Sequence, residues 1–116
     1  MIGKMTTAIA TAVLALAMTA FTALAAHHFV GTWQVKDTGG TPFEIVVTED
    51  GKASANRAGE GMSGTWEETG DALVITWEDG WTTKIAKDGE GYSKMAWEKG
   101  KSMSDDPTNT SDATKK

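Results

Sequence analysis

The chain has 116 residues, with 11 basic and 16 acidic side chains for a net charge of -5, no Cys, two His, 13 Gly and five Trp. That length fits one domain at most. Zero Cys excludes a disulfide-stapled scaffold, a thiol nucleophile and Cys-based zinc or iron-sulfur sites, and the acidic balance argues against binding nucleic acid or an anionic membrane through phosphate contacts.

Residues 1–25 read as a secretory signal peptide. Lys4 is their only charge, an apolar run rich in Ala, Leu and Thr follows, and Ala23-Leu24-Ala25 supplies the small-x-small pattern that a signal peptidase accepts. A membrane anchor is the competing reading of such a run. Thr and Ala dilute its hydrophobicity, however, and no basic stop-transfer cluster follows. Cleavage is expected after Ala25, with Ala26 the alternative, leaving a periplasmic or secreted chain that is not embedded in the membrane.

Cleavage after Ala25 also makes Ala26, His27 and His28 the first three residues. A free amine, two backbone amides and the third-residue imidazole can surround Cu(II) or Ni(II) in a square plane. The plainer reading is two polar residues at a cleavage junction. No cofactor is expected.

Residues 26–98 alternate like strands between glycine turns. Phe29, Gly31, Trp33 and Val35 share one face, and after Thr38-Gly39-Gly40 so do Phe43, Ile45 and Val47. Asp50-Gly51 turns the chain into a third strand with Ala53 and Ala55 inward, beneath a large neighbour. A flexible loop over 57–61 leads to Met62, Gly64 and Trp66. Thr69-Gly70-Asp71 leads to Leu73, Ile75 and Trp77, Glu78-Asp79-Gly80 to Trp81, Thr83 and Ile85, and a turn over 87–91 to Met95 and Trp97. Residues 99–116 contain Pro107, many Ser, Thr and Asp, and no aromatic, so they read as a disordered polar tail.

No segment has helical periodicity and no connection is long enough for a crossover helix. The expected fold is all-β, an antiparallel up-and-down meander of about seven strands closed or curled into a small barrel. Val30-Gly31-Thr32-Trp33, with Phe43-Glu44-Ile45-Val46-Val47 and Glu49-Asp50-Gly51-Lys52, resembles the opening hairpins of calycin-like small barrels. These include the lipocalin, avidin-like and bacterial metalloprotease-inhibitor families, in which a G-x-W plugs the barrel base. The resemblance implies the scaffold alone. Val35 stands where avidin-like proteins place a polar biotin contact, and the inhibitors usually carry a disulfide.

No catalytic motif appears. Most acidic residues sit in Asp-Gly turns, where Asp bonds its own backbone and Gly accepts a positive φ. Trp77 and Trp81 flank a three-residue turn and should be cross-strand neighbours at one end of the barrel. They are either core or, with Trp66 and Tyr92, an aromatic rim for a ligand under the 57–61 loop. Acidic groups at Glu60, Glu78 and Asp79 favour a neutral or cationic apolar ligand there. The expectation is therefore a non-enzymatic binding or interaction module for such a ligand or an envelope protein partner, as a monomer or homodimer that binds no nucleic acid. The alternative is a structural or stress-related envelope protein with a filled core.

Overall fold

The computed structural model describes residues 28–116. The leader expected over 1–25, and Ala26 and His27 of the proposed metal arrangement, lie outside the described residues. Eight strands run in chain order: β1 (Gly31–Lys36), β2 (Pro42–Val47), β3 (Lys52–Arg57), β4 (Glu60–Thr69), β5 (Ala72–Trp77), β6 (Thr82–Asp88), β7 (Gly91–Trp97) and β8 (Asn109–Lys115). Each pairs antiparallel with the next, and β8 pairs with β1 to close the barrel. The up-and-down all-β architecture matches the alternation and turn spacing of the sequence.

The tail expected over 99–116 requires correction, because its second half is β8. A seven-stranded meander leaves the free edges of β1 and β7 with unpaired N–H and C=O groups. Asn109 to Lys115 fills that gap, pairing Tyr92 with Ala113 and Lys94 with Ser111 on one side, and Trp33 with Lys115 on the other. Only Ala113 of this strand is fully buried. Main-chain hydrogen bonding, with little apolar burial, therefore places β8.

The loop over 57–61 is also corrected. Arg57 pairs with Glu60, so the connection is a two-residue turn at Ala58 and Gly59, with φ of +55° and +86°. Positive φ at both central residues is the hairpin geometry that matches strand twist. Glu60 and Gly61 belong to β4, which leaves no lid there.

The core follows the expected alternation from β1 to β6, with Trp33, Val35, Ile45, Val47, Leu73, Ile75, Trp77 and Ile85 buried inside and Phe43, Met62 and Trp66 packed against them. Val47, Ala53, Gly64 and Trp77 form one row across β2 to β5. Two small residues in that row accommodate the indole of the last. A Cβ at Gly64 would lie 2.5 Å from the Thr76 carbonyl oxygen, so only glycine permits this approach of β4 to β5.

In β7 the inward set differs from the one expected. The turn at Gly89-Glu90 pairs Asp88 with Gly91 and hence Ile85 with Lys94, which puts Tyr92, Lys94 and Ala96 inside. Met95 and Trp97 lie on the outer wall. Trp97 is nevertheless only 3% exposed, because the connection between β7 and β8 covers it and its Nε1 donates to the Asp105 carbonyl oxygen at 2.9 Å.

Candidate functional site: a cup at the open end of the barrel

Sequential antiparallel strands divide the turns between two ends. One end is plugged. The Trp33 indole donates to the Phe29 carbonyl at 2.9 Å, and Tyr92 meets the Trp33 ring edge-on, with centroids 5.1 Å apart at 76°. His28 Nε2 and the Tyr92 hydroxyl share a hydrogen bond of 2.5 Å on the outer side of this plug. Trp66 belongs to the same end, its Nε1 donating to the Thr48 carbonyl at 2.7 Å beside the turn between β2 and β3.

The opposite end carries the turns after β1, β3, β5 and β7, and a cup opens there. Trp77 and Trp81 both line it. They are neighbours across the turn, since the Trp77 N–H donates to the Trp81 carbonyl at 3.0 Å. Trp77 is buried, with its Nε1 donating to Thr83 Oγ1 at 2.9 Å, whereas Trp81 is half-buried at the mouth. Asp79 Oδ1 accepts the Trp81 amide at 3.0 Å and fixes the turn. Of the four aromatics expected at a ligand rim, the structure thus brings two together and puts Tyr92 and Trp66 at the other end.

Phe43, Met62 and Ala96 complete the apolar wall. The free space inside is about 40 Å³, which holds two or three waters or the compact head group of a larger molecule. The charged wall residues are Asp37, Arg57, Asp79 and Lys94.

Lys94 is the residue that the sequence reading missed. It is 2% exposed and projects inward from β7. Its Nζ donates to the Lys36 carbonyl at 2.5 Å and to Asn109 Oδ1 at 2.6 Å, while Asn109 Nδ2 donates to Thr38 Oγ1 at 2.7 Å. These bonds stand where the ladder between β1 and β8 has ended. That ladder pairs Trp33 with Lys115 and Gln34 with Thr114, and beyond it the Lys36 N–H donates to Ser111 Oγ at 3.1 Å. Side chains therefore satisfy the Lys36 backbone groups that β8 leaves unpaired.

Burial pushes the Lys94 amine down to about 8, Asp37 opposes that shift and Arg57 adds to it. Among the described residues no carboxylate lies within 4 Å of the amine. The Phe43 ring lies 5.8 Å away and offers its negative face to the charge. Counting residues back from the short turn at Gly89-Glu90 would have put Lys94 inside, but the apolar pair Met95 and Trp97 pointed to the opposite parity.

Of the amino-terminal metal arrangement only His28 lies in the described region. Among the described residues no group of three or more metal-ligating side chains comes together. No family model, curated protein or solved structure matches the chain.

Proposed function

We propose that this protein is an exported, non-enzymatic binding module whose calycin-like barrel holds a small, partly apolar ligand in the cup beside Trp77 and Trp81. The observation that carries the reading is the asymmetry of the two ends. Phe29, Trp33 and Tyr92 plug one, while the other presents a concave aromatic wall with a few converging polar groups.

A direct test is titration with small aromatic compounds, followed by Trp fluorescence. Binding in the cup should shift or quench emission, and Trp81→Ala should weaken it more than tenfold while the far-UV circular dichroism stays unchanged. Export is tested by the mass of the product recovered outside the cytoplasm, which should begin at Ala26.

The smallness of the cup supports a second reading, a structural envelope protein with a filled barrel. With only about 40 Å³ free and Trp77 3% exposed, the indoles would then serve as packing. The two readings differ in the response of Trp81 to a soluble quencher with and without the aromatic probe. Protection that depends on the probe supports the ligand cup, and quenching that ignores it supports the structural barrel.

A further inference from the structure

We propose, resting on the ligand-cup reading above, that the cup selects a compact organic carboxylate, with its head group against the Lys94 amine and Arg57 guanidinium and its apolar body at the mouth beside Trp81 and Phe43. A buried ammonium is costly unless it is paired and fully hydrogen-bonded. Lys94 meets neither condition. Its Nζ has three hydrogens, and the Lys36 carbonyl and Asn109 Oδ1 accept two of them. Both acceptors are neutral. Among the described residues nothing accepts the third, and no anion lies within 4 Å.

Arg57 lines the same cup from β3, close enough to bear on the Lys94 charge, and its guanidinium also lacks a carboxylate within 4 Å among the described residues. The two carboxylates on the wall keep their charge, but each has one oxygen engaged by backbone amides. Asp37 Oδ1 accepts the amides of Gly39 and Thr41 at 3.0 and 2.9 Å, and Asp79 Oδ1 accepts the Trp81 amide. Their backbone partners hold them in the turns, so neither is free to swing onto the amine.

The cup therefore presents two cations with no carboxylate in direct contact, beside an apolar wall, Asp37 acting on Lys94 only at longer range, and an anion that touches both completes it. A carboxylate suits this site better than a phosphate or a lipid, because the free space inside is about 40 Å³ and the rest of the wall is Phe43, Met62, Trp77 and Trp81. An anionic ligand departs from the neutral or cationic one expected from Glu60, Glu78 and Asp79: Glu60 and Glu78 are exposed and outside this lining, and Asp79 lies in it with Oδ1 on the Trp81 amide, so the three weaken long-range attraction without blocking the contact.

The groups facing the amine are Asp37 from the turn after β1, Arg57 from β3 and Asp79 from the turn after β5. Because Lys94 is held near 8, binding of the anion should be strongest below that pH and fall above it as the amine loses its proton.

The test is parallel titration of the full chain with benzoate, its neutral analogue benzamide and the cationic benzylammonium, at pH 6.5 and at pH 9.5. The expected result is at least a tenfold preference for benzoate over benzamide at the lower pH, reduced severalfold at the higher one. Lys94→Met should abolish the preference, and Lys94→Arg should retain part of it. Should Lys94→Met fail to fold, Arg57→Gln carries the test, with an expected threefold or greater loss of the preference. Benzamide or benzylammonium binding as well as benzoate would overturn the carboxylate assignment and leave the ligand cup standing. Failure of all three to bind would remove both.

Discussion

The indole Nε1 of Trp33 donates to the carbonyl oxygen of Phe29 at 2.9 Å, and both residues are essentially sealed from solvent, at 0% and 1% exposure. One bond fixes the chain just before β1 and orients the largest side chain of the plug. Trp33→Ala should cost about 3 to 5 kcal/mol through the cavity it leaves, and Trp33→Phe less, since it retains most of the apolar contact and loses the bond. Denaturant unfolding of both variants against the parent measures this ordering.

The close approach of β4 and β5 gives a second expectation. Gly64→Ala puts a methyl where the Thr76 carbonyl oxygen already stands, so the two strands must separate. A loss of about 1 to 3 kcal/mol follows from such overpacking. Gly61→Ala, in the same strand with open space around it, should change stability by less than half as much, and thermal melts compare the pair.

Protonation of Lys94 gives a third. The amine binds its proton less tightly in the folded chain, at about 8, than in the unfolded chain at the ordinary 10.5. Between those values the unfolded state carries the extra proton, so raising the pH through that window favours folding. Below about 8 both states are protonated and the contribution is flat. Stability measured from pH 7 to 10.5 should therefore rise more in the parent than in Lys94→Met, and equal slopes would show that Lys94 is not the responsible group.

Deleting residues 102–116 removes β8 and leaves the edges of β1 and β7 bare. The truncated chain should lose its cooperative thermal transition or associate through those edges, as size-exclusion chromatography would show. A disordered tail would be removed without either effect.

Much of this fold was legible because β1, β2, β4, β5 and β6 carry large apolar residues at period two, β3 carries Ala53 and Ala55 at the same spacing, and each turn has a glycine where the chain reverses. Pairing Trp77 with Trp81 needed only the length of the turn between them. Three features were not legible, each for its own reason. β8 is polar and is held by backbone pairing, to which hydropathy is blind. Lys94 is a charge in an inward position, which alternation of apolar residues cannot indicate. Trp97 is buried outside the barrel under the β7–β8 connection, so its apolar character pointed to the wrong face.

The closing seam also governs the order in which the wall can be assembled. Seven of the eight strand pairings join neighbours in the chain, whereas the eighth joins Trp33 to Lys115, whose side-chain amine also donates to the His28 carbonyl, 87 positions away, at 2.8 Å. Local hairpins form without a long loop to close, and the long-range pairing pays that entropy last. Joining residue 116 to residue 28 by a short linker and opening the chain at Gly70 would convert this slowest contact into another hairpin and make the β4–β5 pair the distant one. The circular permutant should keep the same barrel, while the amides that exchange fastest with solvent move from the β1–β8 seam to the newly cut one.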